Sequence, residues 1–499
     1  MTLPSDAYPA AAIRQLERQA IESGVAGFTL MQRAGAAALD CLRRRWPGAQ
    51  RIVVIAGTGN NGGDGLVLAR LARQAGIDCR VLFVGDIGVM RGEAAQALQA
   101  LRAAGMAVQP FDVAALGGCD VLVDALLGIG VRAPLQPAWR AAIDGMNAAG
   151  LPILALDLPS GLDPDTGQAL PAVKAAATLT FIGLKQGLLL GEGPDHAGAL
   201  EFNSLDVAPL TARSPVPSLQ LLDADCLAMA LNPRPRHSHK GLFGRVLIVG
   251  GGAGMAGAAR LAGEAALRVG AGLVTVASRP EHLGVVVGGR PELMFLAVER
   301  GADLNAGLEQ ADVVAIGPGL GRSSWARDVL DTVLSSARTG QRLVLDADAL
   351  NLVAGSGALH RDDWILTPHP GEAARLLGST AAAVQADRPA ALAQLLRARG
   401  GIVVLKGAGT LVGRQEEVPR LCTRGNPGMA VPGMGDVLTG AVAGLAAGPV
   451  AQGRDCFAAV CAAVQAHAMA GDRCAEGGVR GILAQDVATQ LRGALAHLP

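Results

Sequence analysis

The chain has 499 residues, half of them hydrophobic and 17% charged, which is enough apolar material for about three average domains. Lys plus Arg and Asp plus Glu number 43 each, so no net charge favours nucleic acid or a membrane surface as partner. Gly reaches 68 residues, close to twice the ~7% average, and it follows no period; that excludes collagen and points to many backbone-lined turns. No apolar run reaches the ~18 residues of a membrane span. The first twenty residues lack a basic segment followed by an apolar core, so no secretory signal is read there. Eight cysteines, at 41, 79, 119, 226, 422, 456, 461 and 474, form no CxxC pair and read as small buried hydrophobes of a reducing, cytoplasmic protein.

In chain order, residues 10–23 and 27–46 read as helices. RIVVIAG (51–57), CRVLFVG (79–85), VLVDA (121–125) and PILALD (152–157) read as strands, with helical patterns at 64–75, 91–104 and 137–149 between them. Further strands are expected at 178–181 and 200–206. Such alternation builds a parallel sheet with helices on both faces, here a Rossmann-like three-layer α/β domain. From Ala208 to Gln220 the chain is Pro- and Ser-bearing and aperiodic, so a linker at 213–222 is expected between domains at 1–212 and 223–499. The alternation then restarts with strands at 245–251, 273–278, 313–317, 342–348, 401–407 and 410–413. Helices are expected at 256–269, 323–336, 436–447, 455–471 and 484–496, which makes a second α/β domain.

Two glycine-rich turns carry chemistry. GTGNNGGDGL, Gly57 to Leu66, follows a strand and opens a helix, the setting in which backbone N–H groups bind phosphate or a dinucleotide. Asp124 and Asp157 end two further strands of the same sheet, and carboxyl ends of such strands line one crevice. Asn61, Asp124, Asp157 and Ser160 therefore converge there as an all-oxygen set suited to a hard cation. The second turn, GNPGMAVPGMGDVLTG, Gly425 to Gly440, runs into Asp436 at a helix start. Backbone N–H groups and the helix terminus make an anion site with one carboxylate on its rim. That arrangement suits phosphoryl transfer to a small alcohol, with Asp436 taking the proton; a tight turn capped by Asp436 is the plainer alternative.

Lysine occurs only at 174, 185, 240 and 406, and three of the four adjoin glycine-bearing turns. Lys185 reads either as orienting a phosphate or as a solvated turn residue. Asp346 and Asp348 read either as reaching a metal through water or as a strand-end residue and a helix cap. His237 and His239 lack a second pair at zinc spacing and read as surface residues.

GNNGGDG, VDALLGIG and DLPSGLDPDTG, in this order, resemble the NAD(P)H-hydrate epimerases over residues 10–212. The resemblance implies a hydrated nicotinamide dinucleotide, NADHX or NADPHX, held by Asn60, Asn61, Gly62, Gly63 and Asp64, by Gly128, Ile129, Gly130, Val131, Arg132, Ala133 and Pro134, and by Asp157. It implies a potassium ion (K+) on Asn61, Asp124 and Ser160. Asp157, with Asp124 beside it, is the expected catalytic group, since inverting a stereocentre requires bond breaking and proton movement.

Across 223–495, the segments from HSHKG through GPGLG, LDADALNL, LTPHPGE, VVLKGAGT and the 425–440 loop resemble the ADP-dependent NAD(P)H-hydrate dehydratases, which are ribokinase-like. Substrate contacts are implied at Ala258, Gly319, His369 and Asp436, and nucleotide contacts at Lys406, Gly407, Ala408, Gly409, Thr410 and Gly435. ADP is then the co-substrate, Mg2+ bridges its phosphates and Asp436 is the catalytic base. A homo-oligomer that binds only small molecules is expected. One departure stands out: where that family reads ATGGMGD, this chain has Ala430-Val431-Pro432-Gly433-Met434-Gly435-Asp436. Val431 removes a hydroxyl and Pro432 a backbone N–H, so an altered dehydratase step is one expectation. A ribokinase-like kinase fused to a dinucleotide-sensing domain, or a non-catalytic nucleotide-binding protein, remains the alternative.

Overall fold

The structure is a computed structural model and describes residues 3–131, 134–207, 214–223, 234–357 and 359–496. It divides into two compact units, Met1–Gln220 and Leu221–Pro499.

In the first unit, β-branched runs form a seven-stranded, all-parallel sheet. Its order is Val108–Pro110, Asp78–Phe83, Arg51–Ala56, Val121–Ala125, Ile153–Leu156, Ala177–Phe181 and Ala199–Asn203. The order reverses direction at Arg51–Ala56 and Val121–Ala125, and a crevice opens at the carboxyl ends of strands on either side of such a switch. The helices Gly27–Arg45, Asn60–Gln74 and Gly92–Ala103 cover one face, and Pro137–Ala148 lies on the other. The helix expected at 64–75 begins at Asn60, so Asn60 to Asp64 form its first turn. It can begin there because a Cβ on Gly62 would lie 2.0 Å from the Gly57 carbonyl oxygen, which leaves room only for glycine.

Sequence patterning missed a small ribbon. Asp6–Tyr8 pairs antiparallel with Leu219–Leu221 and parallel with Leu184–Lys185. Leu219–Leu221 falls within the stretch expected to be linker, and Leu184–Lys185 is two residues long, too short for any period to show. The strand expected at 200–206 ends at Asn203.

The second unit carries a mostly parallel sheet in the order Met294–Ala297, Leu273–Ser278, Arg245–Val249, Val313–Ile316, Arg342–Leu345, Trp364–Leu366, Ile402–Leu405, and then antiparallel Thr410–Arg414 and Arg420–Cys422. Met294–Ala297, Trp364–Leu366 and the helices Pro370–Leu377, Ala381–Ala386 and Arg388–Arg399 were not expected from the sequence. One sheet face, with Val246, Ile248, Val276, Val313, Ala315 and Val404, packs on the helices Ala256–Arg268, Met434–Ala451, Phe457–Cys474 and Ala484–Leu495. By length and composition Met434–Ala451 could cross a membrane, yet two-thirds of it is buried in the unit, which makes it a core helix.

That helix sits close against Ala256–Arg268, and a Cβ on Gly440 would lie 2.0 Å from the Ala262 carbonyl oxygen. Gly440→Ala is therefore expected to push the helices apart and cost about 1–3 kcal/mol, the usual range for overpacking. A urea midpoint unchanged from the parent protein would refute this.

Candidate functional site

The first unit holds a cavity of about 530 Å³, within the range of small-molecule sites. Asn60, Asn61, Asp64, Gly128, Ile129, Gly130, Val131 and Asp157 line it. Gly62 and Gly63 are buried behind it, Pro134 is exposed, and Arg132 and Ala133 lie outside the described residues.

Asn61, Asp124 and Ser160 come together at the switch point. Asp124 is fully buried; its carboxylate accepts from Ser160 Oγ at 2.6 Å, Ser160 N at 2.8 Å and Leu126 N at 3.2 Å. Burial outweighs these donors and pushes its carboxyl up to about 6. Asn61 Nδ2 donates to the Leu127 carbonyl at 2.9 Å, while its Oδ1 is buried with no hydrogen-bond partner. A buried carboxylate that no ammonium or guanidinium among the described residues neutralises, beside an orphaned amide oxygen, fits a cation with oxygen ligands.

Asp157 follows its strand with φ +65°, a left-handed conformation that non-glycine residues adopt at a cost. This turns its carboxylate onto Lys185, and Phe181 N also donates to it at 3.2 Å. Lys185 is 1% exposed and also donates to the Phe181 carbonyl at 2.8 Å. It is therefore neither a solvated turn residue nor free for phosphate; the ribbon strand buries it as the counter-ion of Asp157. The second half of DLPSGLDPDTG is a turn in which Asp163 Oδ1 accepts from Asp165 N and Thr166 N at 3.0 and 2.8 Å.

In the second unit Asp436 occupies the first turn of Met434–Ala451, where N–H groups lack intrahelical acceptors. Burial and then the Asp346 charge push its carboxyl up to about 7, with Lys406 opposing them. Asp346 is 1% exposed and stands at the N-cap position of Ala347–Gly355, yet its side chain makes no capping bond: the carboxylate accepts from Lys406 Nζ at 2.6 Å, Thr367 Oγ1 at 2.8 Å and Thr439 Oγ1 at 2.7 Å. Ala347, which follows it, takes φ +46°, so here the left-handed residue borders the strand-end carboxylate, whereas Asp157 is left-handed itself. Lys406 also lies 3.8 Å from Glu372 Oε2. Burial works against its charge, yet Asp346 and Glu372 outweigh burial and hold the ammonium above its ordinary value.

A Cβ on Gly435 would lie 3.4 Å from Lys406 Nζ, so the ammonium faces the helix N-terminus. His369 caps Pro370–Leu377: its Nδ1 accepts from Gly371 N at 3.0 Å and Glu372 N at 3.4 Å, while Glu372 Oε2 accepts from His369 N at 2.8 Å. His369 Nε2 lies 3.2 Å from Glu372 Oε1, so His369, Glu372, Lys406, Asp346 and Asp436 form one connected group.

The backbone of the loop Lys406–Thr410 is held by buried Arg388, whose Nη2 donates to the carbonyls of Leu405, Lys406 and Gly409 at 3.1, 3.3 and 3.1 Å. Gly407 and Ala408 are left exposed at its tip. Ala258 and Gly319 meet each other: a Cβ on Gly319 would lie 2.9 Å from that of Ala258. One turn along the same helix, Leu261 reaches the position that a Cβ on Gly433 would take, at 2.9 Å. Asp348 does not join the group; its Oδ2 accepts from Gly321 N at 2.9 Å and so ties down the GPGLG turn. Val431 packs against the core and Pro432 is exposed, outside the first turn that carries Asp436. His237 and His239 are exposed.

Residues 246–492 match the family described as NAD(P)H-hydrate dehydratase, and residues 27–187 the family described as YjeF-related protein N-terminus. The bifunctional NAD(P)H-hydrate repair enzymes of Coxiella burnetii and Escherichia coli are 48% and 41% identical to the chain, over 96% and 99% of it and 97% and 94% of their own lengths. The chain belongs to the bifunctional NAD(P)H-hydrate repair enzyme family. Among solved structures, a ribokinase-like superfamily protein from Enterococcus faecalis is similar at a TM-score of 0.52 and 31% identity, covering 58% of the chain and 98% of that protein.

Within this repair-enzyme framework, sequence reasoning missed several groups. Glu372 was within reach, because Glu three residues after His369 is a capping-box signal. Thr439 lies one turn after Asp436 on its helix, so helical spacing could have found it. Glu17 and Arg388 carried no local signal, since each reaches its site from a helix far away in sequence.

Proposed function

We propose that the first unit interconverts the R and S forms of NADHX and NADPHX, and that the second dehydrates the S form to NAD(P)H at the expense of ADP. The observation that carries this reading is the pairing of two unlike carboxylate sites on one chain. Asp157, paired with buried Lys185, lines a cavity of about 530 Å³; Asp436, raised to about 7, sits at a helix N-terminus beside Lys406.

In the second site the hydrated ring offers a hydroxyl, and hydroxide is a poor leaving group. Asp436 takes the hydroxyl proton as the oxygen attacks the terminal phosphorus of ADP; the phosphorus–oxygen bond to AMP breaks. The first-turn N–H groups and the Lys406 ammonium hold the phosphoryl oxygens. Phosphate then leaves with the carbon–oxygen bonding pair, the neighbouring ring carbon loses a proton, and the ring double bond is restored. Magnesium bound with the nucleotide would offset the phosphate charge during transfer; among the described residues no set of three His, Cys, Asp or Glu side chains is placed to hold a metal ion by itself. In the first site Asn61, Asp124 and Ser160 would hold K+, which supplies a fixed positive charge beside the substrate. His369, Ala258 and Gly319 are assigned to the hydrated dinucleotide, and Lys406 to Thr410 with Gly435 to the nucleotide.

The test follows absorbance at 340 nm of a mixed R/S NADHX sample with ADP and magnesium, in potassium chloride and again in choline chloride. Complete conversion in potassium, with only the R fraction slowed in choline, is the expected result. Phosphorylated dinucleotide accumulating without NADH would favour the kinase alternative. No change in the sample would reject both activities.

A further inference from the structure

Carboxylates from separate elements line the first cavity, among them Glu17 on Ala10–Glu22, Asp64 on Asn60–Gln74, and Asp157 after Ile153–Leu156. They share one ammonium, and it is already committed. Lys185 is buried against Asp157 and the Phe181 carbonyl, while neither Asp64 nor Glu17 has an ion-pair partner among the described residues. Arg14 lines the same cavity but gives its Nη2 to the Ile129 carbonyl at 2.9 Å. Glu93, on the neighbouring helix Gly92–Ala103, adds a further acid to the wall. The cavity is thus asymmetric: one carboxylate with its counter-ion in contact, the others without.

We propose that Asp64 is the proton donor of the first site, working against Asp157 as the proton acceptor. The inference rests on the epimerase reading above and assigns a role within it. The step balances without any further reagent. Asp64 gives its proton to the ring hydroxyl; the carbon–oxygen bond breaks and its electron pair leaves with water. The ring-nitrogen lone pair forms a carbon–nitrogen double bond. A water molecule then adds from the other face, its proton passes to Asp157, and the nitrogen recovers its lone pair. One proton leaves Asp64 and one arrives at Asp157, and exchange with solvent resets both.

The electrostatics agree with that assignment. Burial first, then the charges of Asp157 and Glu17, hold the Asp64 carboxyl well above its ordinary value, with Lys185 opposing them. Glu17 is raised as well, by burial and then Asp157, against Lys185, Arg14 and Arg18. A carboxyl group held protonated beside a carboxylate that a buried ammonium contacts divides the site naturally into acid and base. Glu17 is then a positioning residue, whose charge helps to keep the proton on Asp64.

The test gives the full-length protein purified R-NADHX and follows both epimers by chromatography between pH 5 and 10. Consumption of the S form by the same preparation reports the second site. Asp64→Asn is expected to lower kcat for epimerisation by about 10²-fold with KM little changed, and to remove the fall in rate at alkaline pH. Asp64→Glu recovers part of the rate. Glu17→Gln moves that alkaline fall to lower pH, because it removes a charge that holds the Asp64 proton. A loss confined to KM, an unchanged kcat, or a Glu17→Gln profile superposable on that of the parent would overturn the assignment. Failure of the unsubstituted protein to interconvert the epimers would instead reject the epimerase reading itself.

Discussion

Asp436→Asn is expected to lower the rate of NADHX dehydration by about 10²–10⁴-fold, the usual contribution of a general base. Nucleotide affinity should change little, because the side chain keeps its size and the first-turn N–H groups remain. The pH dependence gives the sharper reading. Burial and Asp346 raise the Asp436 carboxyl to about 7, so below that pH it carries a proton and cannot accept one from the ring hydroxyl. Dehydration by the unsubstituted protein should therefore rise as pH climbs through about 7. In Asp436→Asn the residual rate should lose that rise. A variant that retained both its rate and its acid limb would show that another group takes the proton. The exposed Pro432 also becomes testable here: Asp436 keeps its first-turn position, so the Val431–Pro432 change should leave the pH limb in place even where the rate is altered.

Lys406→Met is expected to have the largest effect on stability. Lys406 is the ammonium between Asp346, at 2.6 Å, and Glu372, at 3.8 Å, and both carboxylates are nearly inaccessible, at 1% and 5% side-chain exposure. Removing one partner of a buried pair costs about 3–5 kcal/mol, because the remaining charge is left without compensation. The 16% exposure of Lys406 places the expected loss toward the lower end, about 3 kcal/mol. It should appear as a lower urea midpoint. Adding Asp346→Asn should restore part of the loss, since Thr367 and Thr439 can still bond to the amide. Nucleotide titration of the folded variant should show weakened ADP binding, because the charge beside Gly435 is gone. Unchanged stability and affinity would remove Lys406 from both roles.

Much of this protein was legible as a string of residues. The strands RIVVIA and VLVDA and the helices between them could be read because a β-branched run and a 3.6-residue period each need only local sequence. The ordered glycine motifs carried the family and marked Asn61, Asp124, Asp157, Ser160 and Asp436, because sharp turns at strand ends need small residues at fixed offsets. Helices such as Pro370–Leu377 and Arg388–Arg399 were not read, since Pro and short length hide their period. Leu184–Lys185 and Leu219–Leu221 are too short to have one.

By itself, then, the sequence determined the two α/β folds, the strand ends that carry the chemistry, and the family. Only the tertiary structure decided which charges meet. Lys185 finds Asp157 because the chain's first strand buries it, and Glu17 joins Asp64 from 47 positions away in sequence. Asp346 meets Lys406 and Thr439 through pairings 60 and 93 residues apart. The physical reason is range: propensity and periodicity act over one or two turns of chain, whereas desolvation and Coulomb coupling depend on distance in space. The raised protonation of Asp64 and Asp436 is therefore set by packing between distant segments.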